Sequence, residues 1–377
     1  MLFVMTLKKY GLPVLILFSF ITTKAQDRSI PTAMSFLLTR PDARSTGMGD
    51  VGAASQPDAY ALYSNPSKIA FTQNKATVGL SYEPLMPYLT KDVSLANLAG
   101  IRKLNEKSAL GLSIYFLSYG KIEGADDNGN FTQYFYPKEY TVDLSYSRKL
   151  SETFSMGLTA RYLHSDIHDG ASNNNTVVEP SNAFAVDVSA YFEKEQLSSY
   201  YGAKWAFGAV ISNIGTKVRY SASKTEFLPT NLKLGASYSF LIDGQIQRLT
   251  FHTDFNKLLV PTPPVYDGNG QIIDGKDPNR SVVSSLFSSF ADAPGGFSEE
   301  LQEISIGSGM EYVYNDTFAL RTGFFYENQD KGNRQHFALG TGYKYKNFGF
   351  DMAYLIPVTN RFVLKNSVKF SIACVIK

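Results

Sequence analysis

From about residue 76 onward the chain alternates apolar and polar residues at period two, in segments longer than soluble strands usually are. Tyr140, Val142, Leu144 and Tyr146 fall on one side of an extended chain, and Thr141, Asp143, Ser145 and Ser147 on the other. Phe184, Val186, Val188, Ala190 and Phe192 oppose Ala185, Asp187 and Ser189. Leu232, Leu234, Ala236, Tyr238, Phe240 and Ile242 oppose Lys233, Gly235, Ser237 and Ser239. Successive strand side chains point to opposite faces, so this pattern makes a sheet with one apolar and one polar face. A soluble sandwich has such faces too, and three features separate the readings. The segments run about 9–13 residues, the length of a tilted membrane-crossing strand, against about 5–6 in soluble sheets. Tyr82, Tyr119, Tyr146, Tyr314, Tyr326 and Tyr345 recur near segment ends, where an interfacial girdle would sit. The polar face carries Asp143, Arg161, Asp187, Asp254, Glu311 and Arg321, which suits a watery or plugged lumen. The fold expected is all-β, a transmembrane antiparallel β-barrel.

The first 25 residues read as an export signal. Lys8 and Lys9 form a basic start, Leu12 to Phe18 a short apolar core, and Thr23-Lys24-Ala25 a cleavage site before Gln26. The apolar run falls short of the roughly 20 residues that a spanning helix needs. No cysteine near the cleavage site offers a lipid anchor. Aromatic residues reach 14% while charged residues are only 19%, below the ~25% of average soluble domains. The single cysteine, Cys374, cannot form an internal disulfide and lies on the apolar side of the last segment. A net charge of +2 gives no reason to expect nucleic acid. The partner these features imply is outer-membrane lipid.

Fourteen segments are expected, at 76–82, 92–101, 107–119, 136–148, 153–166, 182–193, 201–212, 231–242, 247–258, 302–314, 317–328, 334–346, 347–357 and 363–374. Connections after even segments are mostly tight, and those after odd segments mostly long. An even-stranded barrel entered from the periplasm has short periplasmic turns and longer outer loops, with both termini in the periplasm. The expected division is a signal peptide at 1–25, an N-terminal plug or periplasmic-mouth segment at 26–75, and a barrel at 76–377. Within 26–75, Asp58 is placed to cap a short helix over Ala59 to Tyr63, and Asn65-Pro66 to end it.

Several motifs invite chemistry. Gly47-Met48-Gly49-Asp50-Val51-Gly52 matches the dinucleotide fingerprint, but no strand feeds it and no βαβ unit surrounds it. Gly47, Gly49 and Gly52, with Asn65 and Pro66, are instead expected to make tight turns of the plug. His164, Asp166, His168 and Asp169 could contact a divalent ion, yet nothing supplies a third or fourth ligand at useful spacing, so no metal is expected. The serines and four histidines fix no Ser–His–acid constellation. No catalytic residue or cofactor is expected. The connection from Leu259 to Leu301 holds a helical stretch from about Ser281 to Phe290, in which Val282, Val283, Leu286, Phe287 and Phe290 form an apolar stripe. Such a stripe on an outer loop either folds back over its own barrel or meets a partner, and these five residues are the candidate partner-binding surface.

The run Pro31-Thr32-Ala33-Met34-Ser35-Phe36-Leu37-Leu38, then Pro41-Asp42-Ala43-Arg44, the glycine turn, Asn65-Pro66-Ser67-Lys68 and Ser212-Asn213-Ile214-Gly215, resembles the PorV family (also called LptO) of the type IX secretion system of Bacteroidota. Ser45-Thr46 departs slightly from the small residues usual there. The resemblance implies a fourteen-stranded FadL-like barrel and a role without catalysis. It also implies partners: a very large translocon barrel (SprA/Sov-like), the C-terminal domains of secreted cargo, and an attachment complex containing a PorU-like sortase. The alternative function within the same superfamily is a FadL-like transporter of small hydrophobic molecules.

Overall fold

The computed structural model describes residues 28–87, 90–126, 128–167, 172–173, 176–177, 179–198, 200–220, 225–243, 246–358 and 367–377. The signal segment at 1–25, and His168 and Asp169 of the histidine cluster, lie outside the described residues. Fourteen strands close into one antiparallel barrel. They are β1 (Ala76–Pro84), β2 (Ser94–Asn105), β3 (Ser108–Ser118), β4 (Lys138–Lys149), β5 (Phe154–Asp166), β6 (Ser181–Leu197) and β7 (Tyr201–Gly215). The second half comprises β8 (Asn231–Ile242), β9 (Gln247–Leu258), β10 (Ile304–Tyr314), β11 (Phe318–Tyr326), β12 (Gln335–Tyr345), β13 (Phe348–Pro357) and β14 (Val368–Ile376). The seam is continuous, with β1 paired to β14 from Ala76↔Ile376 to Tyr82↔Phe370. The closed ring removes the edge strands that a lipid environment does not tolerate.

All fourteen expected segments are strands of this barrel. The differences are at the ends: β6 and β7 run to 17 and 15 residues, longer than the alternation indicated. A register shift between Val186 and Val188 and a left-handed Asn213 (φ 61°) interrupt that pair, and the main-chain N–H of Asn213 donates to Asp187.

Even-to-odd connections are tight. Asn315 and Asp316 both adopt positive φ (50° and 48°), the geometry that lets a two-residue turn match the strand twist. The opposite end carries the long connections, the largest from residue 259 to 303. It contains two helices, α3 (Val282–Ser288) and α4 (Gly296–Gln302), of which the second had no counterpart in the sequence reading. Ser281 caps α3, accepting from the N–H of Ser284 at 3.2 Å.

Apolar side chains of the alternating pattern face outward and polar ones face in. Tyr82, Tyr119 and Tyr326 are exposed at the loop end, and Tyr146, Tyr314 and Tyr345 near the short turns, giving two aromatic levels. Asp143, Arg161, Asp187, Asp254, Glu311 and Arg321 are all buried inside the ring. Alternation left a watery or a plugged lumen open; in the folded chain the lumen is plugged, and these charges bond to one another and to the N-terminal segment.

Candidate functional site

That segment fills the lumen. The main-chain N–H of Arg28 donates to Asp330 at 3.2 Å, and that of Ala33 to Phe227 at 2.9 Å, both partners in loop-end connections. Residues 43–56 sit at mid-height against β7 to β14, and residues 66–71 against β4 to β6, before the chain enters β1 from the short-turn end. From the sequence the segment is expected inside the barrel or against its periplasmic mouth, with both chain ends in the periplasm; it lies inside. The first described residues lie at the opposite mouth, because Arg28 and Ala33 find their hydrogen-bond partners in the loops, not the turns.

The Pro41-Asp42-Ala43-Arg44 run has a physical role at each polar position. Asp42 caps the short helix α1 (Ala43–Gly47), taking the N–H of Ser45 at 2.7 Å. Arg44 forks onto Glu311, Nε and one terminal nitrogen each at 2.9 Å, and reaches Asp58 at 2.9 Å. Glu311 also takes Arg321 at 2.8 Å, which extends to Asp351 at 2.6 Å. A bidentate guanidinium–carboxylate pair fixes orientation as well as contact. Lys369 of β14 donates to the carbonyl of Arg40 and to Thr46, and pairs with Glu83 at 2.9 Å.

The glycine turn works by close approach. Gly49 has φ +74°, and a Cβ there would lie 2.6 Å from the amide nitrogen of Phe324 in the wall. Wall glycines answer it: a Cβ at Gly309 or Gly323 would fall on the main chain of Met48, and one at Gly47 would lie 3.0 Å from the Cα of Gly340. At this level two main chains meet with no side chain between them. Asp254 accepts the N–H groups of Gly52 and Ala53 at 2.8 and 2.9 Å. Asn65 ends the helix α2 (Ala61–Ser64), which is shorter than the stretch Asp58 was expected to cap. Its amide donates to the carbonyls of Ala53 (2.8 Å) and Ala190 (3.0 Å). Pro66 opens the 3-10 turn Pro66–Phe71, where its missing N–H costs nothing. Lys68, fully buried, donates to the carbonyl of Gly52 at 2.6 Å and to Ser55 and Ser64 at 2.9 Å.

At the loop end a second ionic cluster holds α4. Lys257 pairs with Glu300 (2.8 Å) and Glu303 (2.7 Å), and Lys331 with Glu299 (2.6 Å) and Glu303 (3.0 Å). Arg28 joins at Glu299, 2.9 Å away. Burial would raise the Glu299 carboxyl, but hydrogen bonds from Lys331 and the N–H of Gly295, with the charges of Lys331 and Arg28, hold it below the usual carboxylate range. Asp292 nearby is pushed up, chiefly by burial, despite the charge of Arg280 at 3.4 Å.

Pulling the acids inward turns these helices inside out. In α4 the buried residues are Glu299 and Glu300, while Phe297 is 76% exposed and Leu301 is also exposed. In α3 the buried residue is Ser285, while Val283 is exposed and Phe287 is 77% exposed; Phe290, just beyond, is exposed too. Of the five candidate residues, Val283, Phe287 and Phe290 share this outer surface, and Val282 and Leu286 are half-buried. Phe297 and Leu301 were missed; the signal available was an acid pair, Glu299-Glu300, set between apolar residues and matched by lysines elsewhere.

Two pockets flank the mid-height packing. One of about 660 Å³ opens at the short-turn end, lined in part by Arg44, Tyr60, Glu311, Arg321, Lys344 and Asp351. One of about 60 Å³ lies toward the loops and is rich in charged groups. His164 bonds to Asn182 at 2.8 Å and stacks on Tyr140. Among the described residues no group of three or more His, Cys, Asp or Glu is arranged to hold a metal ion.

A closed ring, apolar and aromatic-girdled outside, charged within and filled by its own N-terminal segment, defines an outer-membrane β-barrel of FadL-like fold. Among solved structures it is similar to a deletion mutant of the TodX monoaromatic hydrocarbon channel (TM-score 0.50, 12% identity, 89% of this chain and 97% of that chain). The Pseudomonas putida toluene transporter TodX matches at TM-score 0.49 and 11% identity, over 93% of this chain and 98% of that chain. The Ralstonia pickettii toluene transporter TbuX matches at 0.47 and 14%, over 89% and 98%. At such identities only the fold is shared. No curated protein gives a significant sequence match. The model of the family described as type IX secretion system protein PorV matches residues 22–265, well over half of the 377. The chain belongs to the PorV family, and thus to the outer-membrane components of type IX secretion.

Proposed function

We propose that this barrel is a non-enzymatic docking component of the secretion machinery. In this reading it engages a very large translocon barrel, receives secreted proteins through their C-terminal domains, and passes them to an attachment complex with a PorU-like sortase. Residues 1–25 serve as the cleaved signal, the short turns face the periplasm and the long connections face outward. The observation that carries the reading is the inverted amphipathicity of α3 and α4, which leaves Val283, Phe287, Phe297 and Leu301 exposed, with Phe290 half out beside them over Lys257. Exposed apolar clusters of this kind on soluble loops mark places where another protein sits. The alternative, passage of small hydrophobic molecules, needs an apolar route. The charged lining of the loop-side pocket and the main-chain packing of Met48 and Gly49 on the wall favour docking over it.

The test is pull-down of a tagged copy from detergent-solubilised membranes, read by mass spectrometry, with the wild type beside a Phe287→Ser, Phe290→Ser, Phe297→Ser variant. Docking predicts recovery of a very large barrel and exported cargo by the wild type and their loss from the variant, with the barrel still folded. Unchanged recovery by the variant removes this face from the reading. Intact cargo secretion after gene deletion removes the reading itself.

A further inference from the structure

The loop-side pocket holds an unbalanced charge. Its volume is about 60 Å³, and it lies between the N-terminal segment and strands β5 to β11. Most ions in its lining are matched. Arg161 pairs with Asp187 (3.1 Å), Lys331 with Glu303 (3.0 Å) and Arg334 with Glu327 (2.7 Å). Three charges remain: Arg40 and Lys233, both cationic, and Asp50. Arg40 spends its Nε on the main-chain carbonyl of Asp50 at 2.9 Å, and the Asp50 carboxylate faces His336 at 3.6 Å.

Lys233 is the exceptional member. It is only 6% exposed, and its ammonium makes no hydrogen bond or ion pair with any described residue. Arg40, the other unpaired cation, lines the same pocket, and the charges of Asp254, Lys68 and Asp50 also act on Lys233. Taking an ammonium out of water with nothing in return costs several kcal/mol, and a second cation beside it raises that cost. Methionine or leucine would fill an inward position of β8 without it. The remaining lining suits an anion as well, since Asn231, Asn256 and Ser305 bring amide and hydroxyl donors to the same space.

We propose that this pocket binds one small inorganic monoanion of halide type, with Lys233 as its principal partner and Arg40 as the second. Two cations against one carboxylate in the lining leave a single positive charge, with Lys68 and Asp254 offsetting one another just beyond it, and this sets the valence. The volume admits a halide with a few waters and excludes a nucleotide or a lipid head. Beside Ser237, whose hydroxyl donates to the carbonyl of Ala54 at 2.8 Å, the ion is a second tie between β8 and the N-terminal segment. The proposal stands whatever partners the loops engage.

The test uses the purified barrel in detergent. Crystals grown in bromide should give an anomalous peak at hydrogen-bonding distance from Lys233 Nζ. Thermal unfolding at fixed ionic strength should show a higher midpoint in chloride or bromide than in gluconate, which is too large to enter. Lys233→Met should unfold at one midpoint in all three salts, and Arg40→Gln should weaken the halide response. A wild-type map with only water at Nζ, or equal wild-type midpoints in halide and gluconate, overturns the proposal. The bromide map needs no variant, so a Lys233→Met chain that fails to fold leaves that test intact.

Discussion

Gly49→Ala probes the packing of the N-terminal segment with a single methyl group. Two costs act together there. At φ +74° an alanine sits in the left-handed region, which costs about 1–2 kcal/mol. Its Cβ would also lie 2.6 and 2.7 Å from the main-chain nitrogen and oxygen of Phe324, and 2.8 Å from the carbonyl of Ser308. Main-chain atoms in a closed ring cannot swing aside, so overpacking adds about 1–3 kcal/mol. The sum, about 2–5 kcal/mol, raises the population with this turn displaced by roughly 30- to 5,000-fold. Two controls separate the terms. Gly270 has φ +80° with nothing within 4 Å of a new Cβ, so Gly270→Ala carries strain alone; Gly100→Ala meets nothing and has ordinary backbone. Hydrogen exchange of residues 43–56 in detergent reads the displaced population directly. If Gly49→Ala exchanges no faster than Gly100→Ala, the claim that main chain packs on main chain is wrong.

Glu311→Gln strips the shared carboxylate from Arg44 and Arg321 and should lower stability by about 3–5 kcal/mol in denaturant titration; an unchanged midpoint would mean the pair is idle. Asn65→Ala loses two donated hydrogen bonds and a cap to the N–H of Ser67, about 2–4 kcal/mol, visible as faster exchange over 61–71 and not over the outer loops. Because Glu299 is held below its usual range, its contribution is present above the ordinary carboxylate pKa and is lost as pH falls through the lowered value; Asp292, pushed up, acts in the opposite sense. Acidification below about pH 4 should therefore loosen α4 and residues 28–33 before the barrel unfolds, and simultaneous loss of all three would contradict this.

The ring itself was legible because period-two alternation in long segments has few other outcomes, and the lengths of the connections gave the strand order its direction. Strand ends were less legible. Beyond Glu193 and Ser212 the pattern gives way, and pairing of Leu197 with Gly202 continues on backbone hydrogen bonds that any residue can make. For residues 28–75 a plug and its turns were legible, but its contacts with the wall were not. Arg44 gives no local sign that it belongs with Glu311, and nothing in Gly307, Gly309 or Gly323 shows that a second main chain lies against them. Both facts depend on closing the ring, which places distant strands around one small volume. The outer face of the 259–303 connection was half legible: the α3 stripe is plain in the sequence, whereas nothing local marks α4, whose acids are held by the distant Lys257 and Lys331.

The first part of the chain to be made is bonded to the last. Ala43 donates to Ser371 at 2.8 Å, 328 residues further on, and Lys369 reaches back to the carbonyl of Arg40. The segment runs the height of the ring and is gripped from several sides, so it cannot be inserted afterwards through a finished wall without breaking most of those bonds. Gathering the strands about the segment, with β14 drawn against β1 last, makes those bonds without breaking any. Contacts of such high sequence separation make for slow folding, since so much chain must be ordered before they form. Until that last seam shuts, Arg44, Lys68 and their carboxylate and carbonyl partners have no finished lumen to occupy. That interval is when this chain most needs to be kept from other chains.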